Sequence, residues 1–193
     1  MNAFVNRFCE KYGLKEADFQ LLFREMEAVY FAKGDLIVRE GERNTHFYLL
    51  EKGVWRAHYL SDGVDVSLWF ASAGEPAFSS WGFVDNAASL ISIESMCDSS
   101  AYFIPKQRLE ELYHSSAVLA NLGRKLFERQ FLDLENWMVN GGSPRAKERY
   151  LTLLEENPGL LQYVPLKYIA SYLWVTPQSL SRIRAGLAKK KKC

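Results

Sequence analysis

The period of the apolar positions changes along the 193 residues, and each change marks a different kind of element. Over residues 1–27 the large apolar side chains Phe4, Phe8, Phe19, Leu22, Phe23 and Met26 recur at helical spacing, with a break at Gly13. From about Val29 the runs become short and rich in β-branched and aromatic residues, at 36–39, 47–51, 54–59 and 64–70. They are parted by Gly34-Asp35, Gly41-Glu42, Gly53 and Asp62-Gly63. Two further runs, at 89–95 and 100–104, continue the pattern. Short strands separated by glycine turns predict a compact β-barrel or roll.

Helical spacing returns after Pro105. Residues 116–140 predict one long helix, with Leu119, Leu122, Leu126, Phe127, Phe131, Leu134 and Met138 on a broad apolar stripe. Such a helix reaches about 37 Å, more than a small β-unit needs as cover. The surplus predicts a homodimer seam that shares the stripe with the roll. Gly141-Gly142-Ser143-Pro144 ends the helix as a hinge, and 145–155 predicts a further helix with Tyr150, Leu151 and Leu154 inward.

The most informative stretch follows, VPLKYIASYLWVTPQSLSRIRAGL at 164–187. Its apolar positions describe two short helices around a four-residue turn. The first, at 166–173, turns Ile169, Ala170 and Leu173 inward, and Ala170 is small enough for a close crossing. The second starts with Thr176, whose hydroxyl can accept a backbone N–H, and Pro177, which suits a first helical position that needs no N–H. Leu180, Ile183 and Leu187 share one face of it, leaving Gln178, Arg182 and Ala185 on the other. Gln178 and Arg182 lie one turn apart and have the donor geometry to read adenine and guanine edges. Lys167, Ser179, Ser181 and Arg184 flank them as phosphate contacts. An ordinary solvated helix face is the bland alternative. Caps, turn length, apolar positions and charge all agree on a helix-turn-helix that reads DNA.

Charge distribution adds an independent argument. The chain as a whole carries only +1, but residues 141–193 hold ten Lys/Arg against three acids, a net +7, and residues 1–140 hold 14 against 20, a net −6. A basic module on an acidic body is the footprint of a DNA-binding domain joined to a regulatory one. The Lys189–Lys192 run alone reads equally well as a solvated tail. No apolar run approaches a membrane span, and charge interrupts the N-terminus too early for a signal peptide, so the cytoplasm is expected. Cys9, Cys97 and Cys193 are odd in number and lack C-x-x-C spacing, which argues against a disulfide framework or a metal site. A metal-dependent enzyme on a cupin-type roll would need clustered His and Glu, whereas His46, His58 and His114 are isolated. No nucleophile elbow or P-loop occurs either, so no catalysis, cofactor or metal is expected. A protein-interaction module with a vestigial DNA domain is the remaining alternative.

In this order of elements the chain resembles the superfamily of the cyclic-AMP receptor protein and the fumarate–nitrate regulator (Crp/Fnr). The resemblance spans nearly the whole chain and rests on KGDLIVREGE (33–42), FYLLEKG (47–53), and IASYL (169–173) with TPQSLSRIR (176–184). It implies an α+β protein. A cyclic-nucleotide-binding-like jelly roll with N-terminal helices occupies 1–115, a dimerisation helix 116–140, and a winged-helix-like DNA-binding domain 141–193. Partners implied are double-stranded DNA, a second copy of the chain, a small-molecule effector and RNA polymerase, with no membrane. The family's base-reading positions match Pro177, Gln178 and Arg182; Arg182 keeps the residue type of well-known members, while Pro177 and Gln178 depart from it. Trp174 stands where the turn usually has glycine, at an expected cost of about 1 kcal/mol or more if φ stays positive. Gly74-Glu75 matches the start of the family's phosphate-binding segment. The arginine that should follow is missing: no Lys or Arg occurs before Lys106, and Asp85 lies near its place. An anionic phosphate would lack its bidentate partner there, so cyclic AMP and cyclic GMP are not the expected effectors. Trp69, Phe70, Phe78, Trp81 and Phe83 could instead line an apolar effector site, or simply form core.

Overall fold

The computed structural model describes residues 3–141 and 145–190. Two N-terminal helices, α1 (Ala3–Tyr12) and α2 (Glu16–Phe23), meet through Phe8 and Phe19, whose rings lie 4.6 Å apart. Eight strands and one short helix follow: β1 (Glu27–Phe31), β2 (Leu36–Val38), β3 (His46–Lys52), β4 (Val54–Ser61), β5 (Val64–Ser72), β6 (Pro76–Ala77), α3 (Ser80–Asp85), β7 (Ser92–Ser95) and β8 (Ser99–Pro105). They form two antiparallel four-stranded sheets, ordered β1-β8-β3-β6 and β2-β7-β4-β5. The predicted roll is therefore present. Between the sheets lies a core of Ile37, Val38, Tyr48, Leu50, Trp55, Ala57, Ile93 and Ala101.

Period-two alternation decides what each sheet offers on its other face. In β3, Phe47 and Leu49 point away from the inter-sheet core into a second cluster. There they meet α1, α2, α4 (Lys106–Ser115) and the first half of α5 (Ala117–Gly141). In β4, Trp55 and Ala57 point inward, which turns Arg56 and His58 outward.

The long helix divides its stripe as its length suggested. Leu119, Leu122 and Leu126 are buried and Phe127 packs against the same cluster, whereas Phe131, Leu134 and Met138 are 62%, 50% and 61% exposed. The hinge read at 141–144 falls on 142–144, outside the described residues. Among the described residues four further helices follow: α6 (Ala146–Glu156), α7 (Leu160–Tyr163), α8 (Leu166–Tyr172) and α9 (Pro177–Lys190). Their core comprises Tyr150, Leu153, Leu160, Val164, Ile169, Ala170, Leu173 and Leu180, joined by Val54 and Met96 of the roll. One expectation needs correction. In α6 it is Leu153, one turn from Tyr150, that is buried with it, while Leu151 and Leu154 are only half-buried. Among the described residues no helix is long and apolar enough to cross a membrane.

Candidate nucleic-acid interface

Local chemistry sets the α8–α9 pair. Pro165 precedes α8 in an extended conformation (φ −56°, ψ 140°), and Ala170, fully buried, lets α9 approach closely. At the turn the N–H of Trp174 donates to the Ser171 carbonyl and that of Val175 to the Ala170 carbonyl, each at 3.0 Å. Trp174 takes a φ of 56°. The left-handed conformation is thus kept despite the bulky side chain, and the indole lies against Trp137 of α5 with 5.9 Å between ring centroids. Thr176 caps α9 as predicted: its Oγ1 accepts the N–H of Ser179 at 3.2 Å. On α6, Arg149 Nη2 donates to the Leu173 carbonyl at 2.7 Å, which satisfies an end group of α8.

With Leu180 buried and Ile183 and Leu187 half-buried, α9 turns Pro177, Gln178, Ser181, Arg182 and Arg184 to solvent. Thr176 is exposed as well, and Ser179 is half-buried, with its Oγ receiving Arg182 Nη2 at 3.5 Å. Lys167 is exposed on α8, its Nζ 4.7 Å above the Tyr168 ring. No Asp or Glu occurs after Glu156, so this face carries positive charge without a compensating acid of its own segment. The side chains of Lys189–Lys192 lie outside the described residues.

The effector-pocket candidates are distributed differently. Gly74, at φ 90°, forms the turn between β5 and β6, and its N–H donates to the Leu50 carbonyl at 2.8 Å. The Glu75 carboxylate accepts the Ser72 N–H at 2.7 Å and pairs with Lys11 of α1. Phe78 and Phe83 pack against each other and against Phe47 and Phe127 in the α5-side cluster. Trp69 joins the inter-sheet cluster instead, Phe70 packs towards α8, and Trp81 is 36% exposed. The seam between Phe47, Pro76, Phe78, Leu126, Phe127 and Gln130 is too narrow for a water molecule. On the long helix, Arg124 pairs with Glu128, and Lys125 Nζ donates to the Gly13 carbonyl at 2.9 Å. Among the described residues no cluster of three or more His, Cys, Asp or Glu is placed to hold a metal ion.

Sequence reasoning missed a group centred on Arg56. The guanidinium is 1% exposed. Its Nε donates to Glu94 Oε1 at 2.6 Å, Nη1 and Nη2 donate to the two oxygens of Asp65 at 2.7 and 2.9 Å, and Nη1 also reaches Ser67 Oγ at 3.1 Å. The Tyr168 ring of α8 closes over it, with Cζ 3.5 Å from the ring centroid. A buried charge persists only when it is paired, because leaving it uncompensated costs about 3–5 kcal/mol, and here two carboxylates share that task. His58 lies alongside, 4.0 Å from Glu94, with its pKa lowered by burial and then by the neighbouring Arg56 charge. The available signal was an arginine in mid-strand between Trp55 and Ala57, a position that demands partners wherever it is covered.

Residues 28–116 match the family described as the cyclic nucleotide-binding domain. Among curated proteins none matches. The fold is shared with FixK2 from Bradyrhizobium japonicum, at 22% identity over 86% of this chain and 86% of that one, with a TM-score of 0.71. It is also shared with the c-di-GMP-responsive global regulator CLP of Xanthomonas campestris, at 13% identity, 92% and 93% coverage and a TM-score of 0.67. The catabolite activator protein of Thermus thermophilus aligns at 18% identity over 96% and 88% of the two chains, with a TM-score of 0.56.

Proposed function

From a chain that carries a cyclic nucleotide-binding domain within the fold of the Crp/Fnr regulators, we propose a homodimeric transcription regulator that reads a two-fold symmetric DNA site. The open polar face of α9 carries this reading. Gln178 and Arg182 stand exposed one turn apart on a helix whose opposite side is anchored by Leu180, the arrangement that a helix entering a major groove requires. Lys167, Thr176, Pro177, Ser179, Ser181 and Arg184 surround them as backbone contacts. The exposed residues Phe131, Leu134 and Met138 supply the dimer seam, since an apolar stripe of that spacing is stable when a second helix covers it. Residues 1–115 then serve as the regulatory roll, 116–140 as the seam and 141–193 as the reading head, in the cytoplasm where the DNA is.

The roll works without cyclic AMP or cyclic GMP as effector. No Lys or Arg occurs between Arg56 and Lys106, Arg56 itself is committed to Asp65 and Glu94, and Glu75 is paired with Lys11. A fluorescence-anisotropy titration of labelled duplex over a range of salt tests DNA binding. The logarithm of the binding constant should fall linearly with the logarithm of the salt concentration, and absence of binding at micromolar protein in low salt refutes the proposal. Calorimetry with each nucleotide up to about 1 mM should give no heat of binding. Micromolar binding that tightens the DNA complex would overturn the effector statement.

A further inference from the structure

The reading head touches the roll along the edge of a sheet. Strand β5 is the outermost strand of its sheet and has open backbone groups. Ser171, in the last turn of α8, satisfies two of them: its Oγ accepts the Ser67 N–H at 3.0 Å and donates to the Asp65 carbonyl at 3.2 Å. One turn earlier on α8, Tyr168 covers Arg56, which is held in place by Asp65 of the same strand and by Glu94 of β7. Tyr172 meets Phe70 edge-on at 5.4 Å, and Ser72 Oγ donates to Asn157 Oδ1 at 2.7 Å just after α6. Apolar, polar and cation–ring contacts thus converge on β4 and β5 from one face of α8, while the polar face of α9 stays open.

We infer that the contact of Tyr168 and Ser171 with Arg56 and the β5 edge is a latch that fixes the orientation of the reading head on the roll, making Tyr168 and Ser171 positioning residues for binding a two-half-site operator. The inference rests on the DNA-binding function proposed above. Because the latch leaves Gln178 and Arg182 uncovered, it does not block DNA. Its physical consequence lies in the second half-site. Two heads that must enter grooves one helical turn apart bind together well only if each is already oriented. Loosening the latch lowers the effective concentration of the second head at its half-site and leaves the contacts of a single head intact.

The test compares the parent chain with Ser171→Ala, Tyr168→Leu and the double variant, on a duplex recovered by selection and on a duplex carrying one of its half-sites. Tyr168→Phe, which keeps the ring over Arg56, serves as the conservative control. The double variant should lose about tenfold or more in affinity for the full site and less than twofold for the half-site, with Tyr168→Phe binding as the parent does. Hydrogen exchange provides a readout free of DNA: the Ser67 amide should lose protection in Ser171→Ala. Equal losses on full and half sites, no loss on either, or unchanged Ser67 protection would each overturn the latch. Failure of the parent to bind any duplex is a separate result, which removes the proposed function and the positioning role with it.

Discussion

Trp174 offers a sharp quantitative test, because two opposing effects meet in one side chain. Its φ of 56° is a conformation that costs a non-glycine residue about 1–2 kcal/mol, and Trp174→Gly removes that cost. The substitution also removes an indole that is 66% exposed. Its buried third contributes about 1 kcal/mol of the roughly 3 kcal/mol available to a fully buried large side chain. The contact with Trp137, 5.9 Å between centroids and tilted by 56°, adds about 0.5–1.5 kcal/mol. Relief and loss therefore nearly cancel, and Trp174→Gly should leave stability within about 1 kcal/mol of the parent. In a Trp137→Ala background the ring contact is already gone. There the same substitution should be more favourable by about 1 kcal/mol, so the two positions should show coupling in a double-mutant cycle. Urea unfolding followed by far-ultraviolet circular dichroism measures all four proteins, with the midpoint compared at constant slope. Additivity within about 0.3 kcal/mol would refute the contact between the turn and the long helix. A loss near 3 kcal/mol in both backgrounds would refute the conformational cost.

Three further outcomes follow from the same geometry. Arg182→Ala should cost about 1–3 kcal/mol on the preferred site and relax base choice at one position, whereas Lys167→Ala should weaken all sequences alike and reduce the salt slope by about one; equal loss on specific and random duplex would make Arg182 a phosphate contact. Phe131→Glu together with Met138→Glu should leave the fold intact, since both side chains are mostly exposed, and should give a monomer by light scattering; an unchanged dimer would exclude that stripe as the seam. Burial and the Arg56 charge hold the pKa of His58 below its ordinary value, so on acidification the unfolded chain takes up this proton before the folded one. Stability should therefore be full above about pH 6.5 and decline below it, and His58→Gln should lessen that decline in a thermal-unfolding series; an unaltered acid limb would contradict the assignment.

Local signals made the longer helices and most strands legible, whereas the short α3 and α7 went unread because four to six residues carry too little helical period. Thr176 and Pro177 mark the start of α9 because a cap and a missing N–H act within a few residues of each other. The stripe on α5 predicted both its length and its surplus because helical spacing is itself a local quantity. Leu153 escaped because α6 is apolar at 151, 153 and 154, and the neighbouring helices, absent from local pattern, select which positions face inward. The Arg56 group was illegible for a stronger reason. Asp65, Glu94 and Tyr168 lie 9, 38 and more than 100 residues away, and only strand register and the docking of α8 bring them together. The aromatic residues after Gly74 read equally as pocket or core, since composition does not say which cluster a side chain joins; Phe78 and Phe83 join one and Trp69 the other.

Selection of duplexes from a random pool by the full chain, read by sequencing, tests DNA reading by paired α9 helices most directly. An enriched motif of two inverted half-sites centred about one helical turn apart is expected, with Arg182→Ala selecting the same spacing but losing preference at one base of each half-site. A pool without enrichment, or a motif with no dyad whose content is unchanged by Arg182→Ala, would contradict it.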